Sequence, residues 1–354
     1  MKAAVLALIA AVTLNALTLD QAIDLALNNH AKIGEARFAL GAANERENGA
    51  IATFLPTIGA SRIIYDRERS SASASQTTRF YANWNLFNGL GDYANLKAAS
   101  WTKDARQYEL EAAKADVILA TKYAFYGYLK AKDTLAAAQE NMKAMQKQAK
   151  DAQAFFNQGL IGSYERHSIA LEALQSEQTA LVALSALEIA KLTLENAVAR
   201  PLEGDVVAPQ ARKTGALNRA KLVERTLKNR SEIKSLIALI NAQKEQKTKA
   251  ISPALPSADF QIAKERYEYE SGFSGIDDQT TATVTLTWQL PNLVKPYFDR
   301  EAALYDQRAL ESRLTDLKRT IELQLASANE RLLLAEKAFE VAKASLKLAE
   351  DNLR

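Results

Sequence analysis

The chain has 354 residues, 45 Lys and Arg against 42 Asp and Glu, two histidines and no cysteine. Without cysteine there are no disulfides, no thiol chemistry, no Cys metal site and no lipid anchor on an N-terminal cysteine. The near-balanced charge builds no basic face, which argues against nucleic acid as a partner.

Met1-Lys2, the apolar run Ala3 to Leu14, and Leu14-Asn15-Ala16 read as a secretory signal peptide over residues 1–16, cleaved after Ala16. The alternative is a buried N-terminal helix, since about a dozen apolar residues are too few to span a bilayer. No other segment reaches ~18 uninterrupted apolar residues, so an exported chain that spans a membrane must do so with strands. Thr18-Leu19-Asp20 opens a helix, with Thr18 or Asp20 as its cap. Leu19, Ala22, Ile23, Ala26 and Leu27 line one face before Asn28-Asn29-His30 interrupts. Helix resumes over 31–52 and ends at Phe54-Leu55-Pro56. Pro56 stops the helix and biases its predecessor towards an extended backbone, which suits the entry to a strand.

Residues 56–88 read as a β-hairpin around the polar tract SSASASQTT. In its second run Phe80, Ala82, Trp84 and Leu86 point one way, and Arg79, Tyr81, Asn83 and Asn85 the other. Strands of this length and alternation, joined by a polar loop, carry the signature of an outer-membrane barrel hairpin. After the turn Asn88-Gly89-Leu90-Gly91, helical composition runs from about Tyr93 to Gln158, on the order of 100 Å at 1.5 Å per residue. One heptad stripe passes through Val117, Thr121, Ala124, Tyr128, Ala131, Leu135, Ala138, Met142, Met145, Ala149, Ala152 and Phe156. A second passes through Ile118, Phe125, Leu129, Ala136 and Ala144. Two stripes call for two partners. Asn157 to Ser163 is a turn. A return helix over about 164–199 carries Ala173, Ala180, Ala183 and Leu194 on one side, and Leu174, Leu181, Leu184 and Leu192 on another.

Residues 200–218 form a Pro- and Gly-containing linker, after which the chain starts again. Leu27-Asn28-Asn29-His30 is echoed by Leu227-Lys228-Asn229-Arg230, and Leu55-Pro56 by Leu255-Pro256, each 200 residues on. Trp84-Asn85-Leu86-Phe87-Asn88 is echoed by Trp288-Gln289-Leu290-Pro291-Asn292, 204 residues on. These anchors indicate an internal duplication, with repeats over 17–199 and 219–354. The second repeat has its own hairpin over 256–292, entered at Pro256. Its first strand, about 257–269, is more charged, and a polar loop covers 271–278. Its second strand, 281–290, turns Ala282, Val284, Leu286 and Trp288 to one face and Thr283, Thr285 and Thr287 to the other. The second repeat ends before the position of the Gly159 turn, which reads as a fragment or an unusually short chain.

Four membrane-length strands cannot close on themselves, because the smallest barrels use about eight strands and lipid tolerates no open edge. Three chains would supply twelve strands around a water-filled lumen. The expected fold is therefore mixed α and β, mostly helical: a transmembrane β-barrel, four strands per chain, continued by an α-helical barrel. Arg79, Tyr81, Asn83, Asn85, Thr283, Thr285 and Thr287 would face the lumen. Trp84 and Trp288, at matched places near strand ends, fit an interfacial aromatic girdle, against a reading as soluble-core tryptophans.

The sequence resembles the TolC-type outer-membrane efflux proteins. The resemblance rests on Thr18 to Ala26, on Phe54-Leu55-Pro56, on Trp84 to Gly89 and on the turn Phe156-Asn157-Gln158-Gly159-Leu160, in that order and spacing. It implies a homotrimer with its barrel in outer-membrane lipid and its helical tunnel in the periplasm. It also implies a passive exit duct docked to a periplasmic adaptor protein and an inner-membrane pump, for efflux or type I secretion. Gly159 matches a periplasmic tip glycine, and Glu165 falls where the family carries an acidic gate residue. From the residues alone, Glu165-Arg166 is either a gating pair or a solvated helix face.

No enzymatic site is legible. His30 and His167 have no Cys or carboxylate cluster at ligand spacing, and there is no phosphate loop or GxGxxG, so no catalytic, cofactor or metal residues are expected. Two competing readings remain. A periplasmic adaptor or scaffold would share the αα-hairpin but would add Gly-rich β-domains. A coiled-coil adhesin would have uninterrupted heptads.

Overall fold

A computed structural model describes residues 17–64, 76–202, 204–209, 219–268, 276–289 and 294–352. The expected signal peptide, the centres of both hairpin loops, most of the linker and Leu290-Pro291-Asn292 lie outside the described residues. The chain divides into two compact units, Met1–Arg37 with Leu110–Gly215, and Phe38–Glu109 with Ala216–Arg354.

The first unit draws on α1 (Leu19–Asn29), the start of α2 (Ala31–Ala52), the later part of α3 (Gly91–Asn157) and α4 (Ser163–Val198). Thr18 caps α1 in a reciprocal box. The Gln21 amide donates to Thr18 Oγ1 at 3.3 Å, and the Thr18 amide donates to Gln21 Oε1 at 3.0 Å. His30 takes an extended backbone between α1 and α2, and its Nδ1 accepts from the Lys32 amide at 3.2 Å, starting the next helix. The core gathers Ala22 of α1, Ala124 and Phe125 of α3, Leu194, Ala197 and Val198 of α4, and Val206. Thr121 is buried at no polar cost because its hydroxyl donates to the Val117 carbonyl at 2.8 Å. Leu17 forms a parallel bridge with Val206, donating to the Asp205 carbonyl at 2.8 Å.

The heptad stripe of α3 from Val117 to Phe156 is buried or half-buried throughout. Its second stripe is covered at Ile118, Phe125 and Leu129 but exposed at Ala136 and Ala144. On α4 the alanine face (Ala173, Ala180, Ala183) is buried, while Leu174, Leu181, Leu184 and Leu192 lie open. Among the described residues each of these long helices thus covers one seam throughout and leaves the other partly or wholly open.

The second unit holds β1 (Thr57–Ile64), β2 (Gln76–Asn88), α5 (Arg219–Asn229), α6 (Ser231–Ile251), β3 (Ser257–Glu268), β4 (Ile276–Thr287) and α7 (Val294–Asn352). Its strands form one antiparallel sheet in the order β1-β2-β3-β4. Small residues line its helix contacts: Ala43 and Ala50 of α2, Ala94, Ala98 and Ala105 of α3, and Ala303 of α7 are buried with Ile233, Leu236 and Ile240 of α6. Small contact residues set short interaxial distances. Lys103 of α3 meets Glu47 of α2 at 2.7 Å, and this hydrogen bond holds the Glu47 carboxyl below its ordinary value. After β2 the chain turns through Gly89 (φ +51) and Leu90 (φ +67), and a Cβ on Gly89 would lie 2.4 Å from the Ser252 carbonyl oxygen. Ser252 Oγ donates to the Asn88 carbonyl at 2.7 Å, so the exit of one hairpin is fastened to the entry of the next.

Two helices, two strands and a long helix follow one another twice along the chain. The strand boundaries differ from the sequence reading in both hairpins: Gln76-Thr77-Thr78, read with the polar tract, open β2. β4 runs Ile276–Thr287 rather than 281–290, so Ile276-Asp277-Asp278 are strand and Trp288 lies just beyond it. Pairing decides this. β3 begins directly after Pro256, and Ser257 sits opposite Thr287, which fixes where β4 ends. Arg266 of β3, bonded to Asp278 at 2.9 Å, draws the start of β4 earlier.

Candidate functional site

Residues opposite one another in register share a sheet face. Gly59 faces Tyr81, Ser61 faces Arg79 and Thr57 faces Asn83; across the next pair Arg79 faces Glu265, Asn83 faces Gln261 and Asn85 faces Asp259. Gln261, Asp259 and Ser257 then face Thr283, Thr285 and Thr287. All seven residues read as lumen-facing therefore lie on one face of one sheet.

That face is knit by polar contacts. Arg79 Nε approaches Glu265 Oε1 at 3.1 Å, its Nη2 donates to Gln261, and Gln261 in turn donates to Asn83 Oδ1. The Arg79 guanidinium also lies 5.4 Å from the centroid of the Tyr81 ring. Tyr81 covers Gly59, where a Cβ would sit 2.5 Å from the ring, so glycine is needed for the aromatic to lie flat across the pair. Asn85 donates to Asp92 Oδ2 of α3 at 2.6 Å. Gln261, Glu265, Asp259 and Asp92 were not singled out from the sequence. The period-2 spacing of Asp259, Gln261 and Glu265 along β3 was the signal that could have found the first three.

Apart from Arg62, Lys264, Arg266 and Asp278 towards its loop-side end, the opposite face is apolar and open. Ile58 is 86% exposed, Leu286 78%, Val284 61% and Phe80 60%. A sheet in water does the reverse, burying its apolar face and wetting its polar one. Trp84 and Trp288 make matching contacts. Trp84 Nε1 donates to the Phe54 carbonyl at 2.9 Å, and Trp288 Nε1 to the Ala254 carbonyl at 3.2 Å. Each indole closes the turn that carries Pro56 or Pro256, one residue ahead of β1 or β3.

The tip turn belongs to the first unit. Gly159 has φ +70; its amide donates to the Phe156 carbonyl and the Leu160 amide to the Phe155 carbonyl, both at 2.9 Å. These are the paired bonds of a Schellman stop, which favours glycine at the left-handed position. Glu165 lies exposed in the first turn of α4, where the helix dipole favours an anion. Its neighbour Arg166 instead reaches α3: the guanidinium sits 4.5 Å over the Phe156 ring and donates to Gln153 at 3.4 Å. Among the described residues no ion pair joins Glu165 to Arg166. Nor, among them, is there a cluster of metal-ligating side chains, or a helix long and apolar enough to cross a membrane.

The model of the family described as outer membrane efflux protein matches residues 22–200. No curated protein matches the sequence. Among solved structures, the CmeC outer membrane channel of Campylobacter jejuni superposes with a TM-score of 0.75 at 15% identity, over 87% of this chain and 70% of its own. A membrane protein from Pseudomonas aeruginosa gives 0.74 at 14% identity, over 87% and 75%. The outer membrane protein VceC of Vibrio cholerae gives 0.70 at 16%, over 85% and 75%. At these identities the structural likeness speaks for the fold, and the family model speaks for the family. The chain belongs to the outer membrane efflux protein family: a mostly helical channel protein of the outer membrane that reaches into the periplasm, and not an enzyme.

Proposed function

We propose that three copies of this chain close a twelve-strand barrel in the outer membrane and continue it as a helical tunnel. This trimer would be the passive exit duct of a tripartite efflux or type I secretion system. The observation that carries the reading is the inverted sheet, with Arg79, Tyr81, Asn83 and Asn85 on one face and exposed Ile58, Phe80, Val284 and Leu286 on the other. An apolar face is stable outward only against lipid, and the polar face opposite it then bounds a wet lumen. β3 and β4, at 12 residues each, are about 40 Å long, and at a tilt of about 45° they rise about 29 Å, near the hydrocarbon thickness. Free edges on β1 and β4 require neighbouring strands, because unpaired backbone groups are not tolerated in lipid.

In this reading the second helical seam, open at Leu174, Leu181, Leu184 and Leu192, is covered by the adjacent copy. Residues 1–16 serve as the export signal. The turn at Gly159, with Glu165 beside it, forms part of the periplasmic entrance. Trp84 and Trp288 sit near the inner membrane boundary. A periplasmic adaptor docks on the helices, and an inner-membrane pump supplies the energy, since the duct itself carries no coupling chemistry. An adaptor or scaffold role for this chain gains nothing from the sheet, whose apolar face would meet water.

The detergent-extracted protein is expected to run as a trimer and to conduct ions in planar bilayers. A monomer without conductance would defeat the proposal.

A further inference from the structure

We propose that the loop-side end of the apolar sheet face is a docking belt for phosphorylated lipid headgroups of the outer leaflet. The inference rests on the barrel reading above. Across the sheet, Arg62, Thr78, Arg266 and Asp278 form one register row, and Lys264 lies in the adjacent row beside Phe80. By strand alternation these side chains share the face of Phe260, Ile262 and Val284, not that of Arg79. The same face has no charged residue at its helix-side end, where Ile58, Trp84, Ala258 and Leu286 stand. Its two boundaries are thus chemically different.

The spacing puts the charges at headgroup level. Arg266 lies eight residues beyond Ala258 on β3, about 27 Å along the strand at about 3.4 Å per residue and about 19 Å of rise at the same tilt of about 45°. That leaves its backbone about 6 Å short of the edge of an apolar band of about 25 Å, a gap that a long cationic side chain spans by snorkelling to the headgroups, since cations are strongly disfavoured within the band. The pairing leaves cationic capacity over. Arg266 holds Asp278 at 2.9 Å, while Lys264 reaches the same carboxylate only at 3.6 Å and Arg62 reaches Glu268 only at 3.6 Å. Among the described residues three cations share two carboxylates, Arg62 also donates to Gln76, and all three are more than half exposed. Guanidinium forks and an ammonium facing outward at this height match phosphate oxygens, which accept such donors in charge-assisted bonds. Repeated in every copy, the belt would ring the barrel and fix its depth.

The full-length assembly is reconstituted in phosphatidylethanolamine vesicles containing either bis-phosphorylated lipid A or its dephosphorylated form. The lipid A retained after re-extraction is then quantified by mass spectrometry. Wild-type protein is expected to retain the phosphorylated form selectively. The triple variant Arg62→Gln, Lys264→Gln, Arg266→Gln should lose about tenfold or more of that retention. The double variant Glu268→Gln, Asp278→Asn, which keeps the cations, should retain as much or more. Lys264→Gln alone, which leaves the Arg266–Asp278 pair in place, should show a smaller loss in the same direction. Equal retention of both lipid forms, or an unaffected triple variant, would overturn the proposal. Displacement of the lipid by excess inorganic phosphate would also overturn it, by assigning the belt to free anions. Conductance measured on the same samples separates the two claims. Conducting protein indifferent to phosphate defeats the belt alone, and lipid-retaining protein that never conducts defeats the channel reading.

Discussion

The sheet and the α3–α4 helical hairpin both expose apolar side chains, but they do so against opposite backgrounds. Behind the open face of the sheet lies a polar network of Arg79, Glu265, Gln261 and Asn83. Behind the open leucines of α4 lies a buried apolar seam of Ala173, Ala180 and Ala183. A face that is apolar with polar groups behind it calls for lipid outside and water inside. A face that is apolar with more apolar packing behind it calls for another helix. Exposed hydrophobic area alone would have merged the two; what stands on the reverse side distinguishes a membrane surface from a protein interface.

Substitutions can break this comparison at either end. The largest effect on assembly is expected from Val284→Arg on the sheet's outer face, because an arginine facing lipid costs up to about 2–4 kcal/mol per copy. The yield of detergent-resistant oligomer from outer membranes should collapse, and an unchanged yield would mean that this face does not meet lipid. Phe125→Ala empties the fully buried centre of the first unit and should cost about 3–5 kcal/mol, read as a lower thermal midpoint by circular dichroism. Leu181→Ala on the open seam should leave helix content intact yet weaken assembly by about 1.5–3 kcal/mol per copy, measured as dissociation on dilution. Equal loss of monomer stability would show that this leucine belongs to the chain's own core. Gly159→Ala meets open space but keeps φ near +70, so a loss of about 1–2 kcal/mol confined to the tip is expected, read by hydrogen exchange at residues 155–162.

The smallest effect concerns the clasp between α3 and the linker. The Lys132 hydrogen bond, joined by the Val206 amide, lowers the Asp205 pKa, and the same bond to Asp205 raises that of Lys132. The carboxylate's contribution is present above its ordinary value of about 4 and fades as pH falls through the lowered folded value. The lysine's contribution is complete below about 10.4 and fades as pH rises through its raised folded value. Asp205→Asn should therefore speed exchange of the Val207 amide near neutral pH, and the difference should vanish in strong acid.

Much of this was legible because each element announced itself locally. Thr18 with Gln21, the break at His30, Pro56, and Gly159 are punctuation with a mechanism: α1 and α2 meet at His30, α2 ends four residues before Pro56, and α3 ends two before Gly159. The alternation of β2 was equally plain, because Arg79, Tyr81, Asn83 and Asn85 share no residue type with the other face. The more charged β3 hid its partition. Lys264, Glu265, Arg266 and Glu268 look like one charge run until pairing sends Glu265 to Arg79 and Arg266 to Asp278 on the opposite side. The limits of β4 were likewise a matter of register with β3, a long-range property that no window of β4 contains. Leu90 in a left-handed conformation was also hidden, since its turn is set by the Ser252 contact from far along the chain.

The inverted sheet can be tested directly because the chain has no native cysteine to interfere. Single variants Thr283→Cys, Val284→Cys, Thr285→Cys and Leu286→Cys, reconstituted in liposomes, are exposed to a charged, water-soluble thiol reagent while conductance is recorded. Thr283→Cys and Thr285→Cys are predicted to react and to reduce the current, with Val284→Cys and Leu286→Cys silent. Uniform labelling of all four, or labelling of Val284→Cys and Leu286→Cys alone, would contradict the account.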